Sequence, residues 1–306
     1  MWSVKQLLLK AFEQRMPPLD EQGRTLAHRL RSELIVDAEN EEVVSAADTW
    51  RGFSDELARH AVADDPREFL QWPVVRKSMF VSNARYIADE WRYLRGLPEW
   101  GARWRDALRE SPIGRPRPYP RYPKSSGNLI HHAYSVARFE LETGIKVSDL
   151  GLVYEFGGGY GSMARLFRQL GFQGVYLIQD LPAFSALQRF YLGSLGYIAE
   201  GKPTKCFSGF DQLRDQLAEV AGASPKLFLA TWSVSESPID IREQVLEHLQ
   251  SFDYLLIALQ HKFEDIDNLK YFQTWKDHFA ERLNISVSEI GHLAGNSYLF
   301  ASPKAT

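Results

Sequence analysis

The run Val153-Tyr154-Glu155-Phe156-Gly157-Gly158-Gly159-Tyr160-Gly161 constrains the fold of this chain more than any other stretch. An apolar strand ends in a carboxylate, passes through glycines at alternate positions and opens a helix near Ser162. Strand, glycine turn and helix in that order build a site for a small nucleotide-like ligand at the carboxyl edge of a parallel sheet. Glycine is needed where the backbone turns sharply and approaches a ligand with no Cβ between them. Glu155 narrows the ligand, because a carboxylate beside the turn attracts a cationic group and repels a pyrophosphate.

Downstream the pattern alternates. Strand Leu152–Phe156 leads to helix Ser162–Leu170, strand Val175–Ile178 to helix Ala183–Leu195, and a weak strand Lys205–Phe207 to helix Asp211–Val220. Strand Leu227–Ala230 leads to helix Ile239–Leu249, with Ser237 as its cap and Pro238 in its first turn, and strand Tyr254–Leu259 leads to helix Asn268–Leu283. Two last strands, Ile285–Ile290 and Ser297–Ala301, arrive with no helix between them. The expected fold is therefore α/β: a doubly wound, seven-stranded Rossmann-like sheet whose last strand is antiparallel.

The front of the chain differs. Residues 1–112 show helical spacing, as in Leu26, Leu30 and Leu34, or Phe80, Ala84, Ile87 and Trp91. Pro112 to Pro123 holds five prolines and reads as an extended connector that neither helix nor ladder pairing can use. Ser125 or Ser126 caps the helix from about Asn128 to Thr143. Two domains are expected: 1–124, helical with the proline-rich connector, and 125–306, the ligand-binding sheet. Met1 to Phe12 reads as an amphipathic helix rather than a secretion signal, and no apolar run approaches the ~18 residues of a membrane span. The net charge of -3 argues against a general nucleic-acid binder, and the single cysteine, Cys206, suits a reducing cytoplasm.

Two cofactor readings compete for the glycine turn. Gly159, Gly161 and Ala164 satisfy the loose dinucleotide fingerprint, with Asp180 at a distance suited to ribose. Glu155, the antiparallel end of the sheet and the long helical region ahead of the turn favour S-adenosylmethionine. A glycine turn that only packs a helix on a strand stays open. Asp180 ends the second strand, where it accepts both ribose hydroxyls or caps the helix begun by Pro182. Phe210 follows the third strand, placed to cover an adenine face, and Asp211 beside it is either a polar partner or a helix cap.

At these residues a family comes into view. Glu155-Phe156-Gly157-Gly158-Gly159-Tyr160-Gly161 resembles the first motif of class I methyltransferases. In finer detail the chain resembles the bacterial sugar O-methyltransferases, through Asp180-Leu181-Pro182, Phe190-Tyr191-Leu192, Ala230 to Pro238, and Ile266-Asp267-Asn268 with Tyr271-Phe272. The resemblance covers about residues 150–301. It implies that Glu155, Gly157, Gly159, Gly161 and Asp180 with Leu181 hold S-adenosylmethionine. Thr231 and Trp232 would close its methionine side, and Glu236 would face the acceptor.

Methyl transfer to oxygen needs alignment and a proton acceptor, both from loops at the carboxyl ends of strands. Glu236 after the fourth strand and His261 after the fifth are the candidate bases, against readings as a helix-end charge and a loop histidine. His292 and Tyr298 of the terminal hairpin are further candidates. Glu264, Asp265 and Asp267 read as a solvated acidic loop, so no metal is expected. Arg115, Arg117, Arg121 and Lys124, interleaved with Tyr119 and Tyr122, hold an anionic glycan or simply meet water. The expectation is a cytoplasmic S-adenosylmethionine-dependent O-methyltransferase acting on a sugar hydroxyl, able to form a homo-oligomer. The alternatives are a non-sugar acceptor, a non-catalytic partner-binding subunit of the same fold, and an NAD-linked oxidoreductase.

Overall fold

A computed structural model describes residues 18–39, 48–79, 84–198 and 203–304. The Met1–Phe12 helix and Phe80 lie outside the described residues. Two compact units interleave along the chain. One takes the described residues within Met1–Tyr134, Gly159–Leu170 and Pro182–Lys202, and the other those within Ser135–Gly158, Gly171–Leu181 and Pro203–Thr306.

The second unit carries the sheet. Its strands are β1 (Leu152–Phe156), β2 (Val175–Gln179), β3 (Thr204–Phe207), β4 (Lys226–Thr231), β5 (Tyr254–Gln260), β6 (Leu283–Glu289) and β7 (Asn296–Pro303). Their order across the sheet is β6-β7-β5-β4-β1-β2-β3. Strands β1 to β5 run parallel, whereas β7 is antiparallel to both β5 and β6. This is the seven-stranded Rossmann-like sheet with an antiparallel end that the sequence implied. Strand order reverses between β1 and β4, the place where open α/β sheets bind ligands. The central strands are apolar on both faces because both are covered, so Leu152, Tyr154, Phe228, Ile257 and Leu259 share one core with Phe272, Trp275 and Phe279.

The first unit is helical, as the front of the sequence implied. Leu30 and Leu34 of helix Glu21–Glu39 are buried at the predicted spacing, and Glu33 of the same helix pairs with Arg189 of helix Pro182–Ser194 at 2.8 Å. Phe69 packs against Tyr160 and Tyr191, with ring centroids 5.4 Å away in each case. Ser126 Oγ accepts the Leu129 amide at 3.1 Å, so Ser126 is the cap of helix Gly127–Thr143.

Four expectations need correction. The proline-rich connector does pair: Pro118–Tyr119 and Tyr122–Ser126 form an antiparallel ladder with an irregular register. Proline is tolerated there because the sheet has only two short strands, so each is an edge, with Pro118 a first residue and Pro123 inside an edge strand. Ser237 does not cap the next helix; its hydroxyl donates to the Ser233 carbonyl at 2.9 Å, and Pro238 holds the cap position of helix Ile239–Glu247. The helix from Asn268 ends at His278, and Leu283 already belongs to β6, since Phe279 leaves helical geometry (φ -96°, ψ 5°). Finally, Tyr298 is buried, its hydroxyl 2.8 Å from Ser135 Oγ, which makes it a packing residue rather than a base.

Candidate functional site

Glu155, the last residue but one of β1, is only 3% exposed. Its Oε2 accepts the Tyr176 hydroxyl at 2.8 Å, and no basic side chain among the described residues pairs with it. Burial pushes its pKa up to about 8, opposed by the Tyr176 bond and assisted by nearby Asp180. An alanine at Gly158 would bring its Cβ to 2.5 Å from Ile178 Cγ2 and 3.2 Å from the Glu155 carboxyl carbon. The carboxyl group therefore lies directly beneath the turn. A charge in this setting is poorly solvated, which is why burial favours the protonated form.

The turn itself uses left-handed backbone at Gly157 (φ 71°), Gly159 (φ 58°) and Gly161 (φ 90°). At Gly157 the demand comes from the protein as well as from any ligand. A Cβ there would meet Ser233 Cβ at 2.3 Å, and Ser233 Oγ donates to the Phe156 carbonyl. Helix Ser162–Gln169 follows directly, with Gly161 at its cap. Gly159 offers its carbonyl to Gln188 Nε2 at 3.0 Å.

Asp180 follows β2, and its Oδ1 accepts the Leu181 amide at 2.8 Å. It also acts electrostatically on Glu155, so the ends of β1 and β2 bring two carboxyl groups together. Phe210, after β3, stacks on His248 at 5.9 Å and 10°, which occupies one of its faces.

Thr231 closes β4, and the chain then makes a tight loop. Trp232 adopts left-handed backbone at φ 66°, a conformation that costs a non-glycine residue roughly 1–3 kcal/mol. Among the bonds that hold it there, its amide donates to the Ala258 carbonyl at 2.7 Å, and its indole N–H donates to Asn296 Oδ1 at 2.8 Å. Glu236 sits in the short turn Val234–Glu236, its amide donating to the Trp232 carbonyl at 3.0 Å. Burial pushes the Glu236 pKa up to about 6, opposed by Gln260, whose Nε2 donates to Glu236 Oε1 at 3.3 Å. His261 sits beside Gln260, its Nε2 2.9 Å from Ser297 Oγ.

Glu155, Gly157, Asp180, Leu181, Thr231, Trp232, Glu236 and His261 thus all stand at or just beyond the carboxyl ends of β1, β2, β4 and β5. Gly159 and Gly161 belong by chain order to the turn that leaves β1. The tyrosines of the connector are not free platforms, since Tyr119 is buried and Tyr122 stacks on Trp91 at 4.6 Å. Asp267 of the acidic loop caps its helix, accepting the Lys270 amide at 3.0 Å. Among the described residues, no group of three or more histidine, cysteine or acidic side chains is arranged to hold a metal. Sequence reasoning missed Ser233, Gln260 and Asn296. Gln260 was legible as a polar residue closing a strand, but Asn296 had no local signal.

No family model matches the chain, and no curated protein matches it. Among solved structures it is similar to mitomycin 7-O-methyltransferase (15% identity, 92% of this chain and 95% of that one, TM-score 0.38). It is similar also to magnesium protoporphyrin IX methyltransferase from Synechocystis PCC 6803 (15%, 74% and 100%, 0.41). A third is precorrin-6y C5,15-methyltransferase from Geobacter metallireducens GS-15 (11%, 57% and 87%, 0.39). Superpositions this loose carry nothing about substrate or activity.

Proposed function

We propose that the chain is an S-adenosylmethionine-dependent O-methyltransferase acting on a sugar hydroxyl. The observation that supports this most is Glu155: a buried carboxyl group beneath a glycine turn, with no basic partner among the described residues. A cationic ligand suits that place, because it pairs with the carboxylate form that burial alone disfavours. The residues fit the cofactor in their chemistry, since two carboxyl groups, Glu155 and Asp180, stand close together beside a turn of left-handed glycines. Glu155, Gly157, Gly159, Gly161, Asp180 and Leu181 would hold it, with Thr231 and Trp232 at its methionine end.

When bound, the cofactor supplies a sulfonium methyl group, whose transfer to a hydroxyl oxygen forms an O–CH₃ bond, breaks S–CH₃ to leave a neutral thioether, and releases the hydroxyl proton. Glu236 is the better candidate to take that proton, because burial brings it to about 6, close to an operating pH. His261 is the second candidate. The sugar acceptor rests on the resemblance of the later motifs, and a non-sugar hydroxyl is the alternative.

Thermal unfolding with S-adenosylhomocysteine against NAD tests the cofactor. At 100 times its Kd a ligand adds roughly 2.7 kcal/mol, and only S-adenosylhomocysteine should do so. Stabilisation by NAD alone would end this reading. Glu236→Gln should lower single-turnover methylation by about 10²–10⁴-fold without weakening S-adenosylhomocysteine binding. If it keeps full turnover while His261→Ala does not, the base is His261.

A further inference from the structure

Arg242 is fully buried, yet no carboxylate among the described residues accepts its hydrogen bonds. Its three nitrogens point at one loop and one side chain. Nε donates to the Ser237 carbonyl, Nη2 to the Ser235 carbonyl and Nη1 to Asn268 Oδ1, each at 2.7 Å. The guanidinium lies 4.9 Å from the centre of the Tyr271 ring. Asn268, also fully buried, turns its amide the other way, donating to the Ser235 carbonyl at 3.2 Å and to the Gln260 carbonyl at 2.8 Å. Ser235 Oγ shares its one proton between the Trp232 carbonyl at 2.7 Å and Gln260 Oε1 at 2.8 Å. The Gln260 Nε2 faces Glu236 and donates to its Oε1 at 3.3 Å.

We infer that Arg242, Asn268 and Gln260 form a positioning clamp that fixes the Trp232–Ser237 loop and aims the Glu236 carboxyl group at the acceptor. The inference rests on the proposed role of Glu236. Ser235 and Ser237, one on each side of Glu236, have their carbonyls held by one rigid planar group, and Gln260 holds the carboxyl group between them. A planar, five-donor cation is suited to grip several carbonyls at once in fixed directions, which a lysine cannot do. A buried guanidinium is costly to desolvate, so its presence here sets geometry rather than adding stability. The clamp also accounts for a stretch of sequence that cofactor binding leaves unused: Asn268 and Tyr271 are where they are because Arg242 needs a carbonyl and a ring.

The test follows Glu236 itself, by carbon-13 NMR titration of its carboxyl group in the full chain, alongside S-adenosylhomocysteine affinity and thermal unfolding. Gln260→Leu removes the one donor to the carboxylate among the described residues, and Glu236 should titrate upward by at least about half a unit. Arg242→Lys and Asn268→Ala loosen the loop and admit water, and Glu236 should move the opposite way, toward the ordinary carboxylate range. S-adenosylhomocysteine affinity should stay within about twofold while single-turnover rate falls by about tenfold or more. A merely structural Arg242 would lower the melting temperature and leave the Glu236 titration where it is; that result in both loop variants overturns the inference. Asn268→Ala, which removes the Arg242 acceptor without touching the guanidinium, keeps the question decidable if Arg242→Lys does not fold. If the wild-type chain binds no S-adenosylhomocysteine, the cofactor reading fails while the titration still decides the clamp.

Discussion

Glu155 makes an opposing demand on stability and on ligand binding. Its folded pKa of about 8 lies above the ordinary 4.5, so the folded state keeps a proton that the unfolded chain has released over that window. Stability should therefore fall as pH rises from about 4.5 to about 8, and level off beyond. Glu155→Gln removes the titrating group; the variant should unfold at higher denaturant than wild type at pH 8, by the order of 1–3 kcal/mol, and lose most of its S-adenosylhomocysteine affinity. A flat stability difference between pH 5 and pH 8 would contradict the assignment. Gly157 offers a second residue-scale test. Alanine there meets Ser233 and a left-handed backbone together, at a cost of about 2–4 kcal/mol in chemical denaturation. Adding Ser233→Gly should recover the steric part and leave the backbone part.

At the scale of elements, the loop after β4 is strained and anchored at once. Asn296→Ala removes the partner of the Trp232 indole N–H, so Trp232 emission should shift to the red, with a loss of about 1 kcal/mol in unfolding. If emission and stability both stay unchanged, the indole is not held by that bond. Asp267→Ala should cost about 1 kcal/mol through the lost cap of helix Asn268–His278, with no change in S-adenosylhomocysteine affinity. Helices and strands here were legible from spacing, because apolar residues repeat with the period of the element that buries them. Ends were less so. The boundary at Phe279 was hidden because Phe279 and Leu283 continue a helical spacing while the backbone turns away to start β6. The connector ladder was hidden because proline content argues against pairing in general, whereas a short edge pair escapes that rule.

At the scale of the whole molecule, the central strands should be the last to open. Amides of β1, β4 and β5 are flanked by strands on both sides, while β6 forms one edge of the sheet with Val287 47% exposed. Native-state hydrogen exchange should show slower exchange in Leu152–Phe156 and Tyr254–Gln260 than in Leu283–Glu289, and equal protection would contradict the observed strand order. The sequence by itself determined the seven strands, the glycine turn and the residues ending β1, β2, β4 and β5, because alternation and turn chemistry are local. Only the tertiary structure decided which polar groups meet across the carboxyl edge. The antiparallel entry of β7 sets Asn296 opposite Gln260, which brings Asn296 to Trp232 and Ser297 to His261. Burial raised Glu155 and Glu236 above their ordinary range, and the glycine at 157 turned out to answer to Ser233. Register, desolvation and close approach depend on atoms far apart in the chain, and no local pattern encodes them.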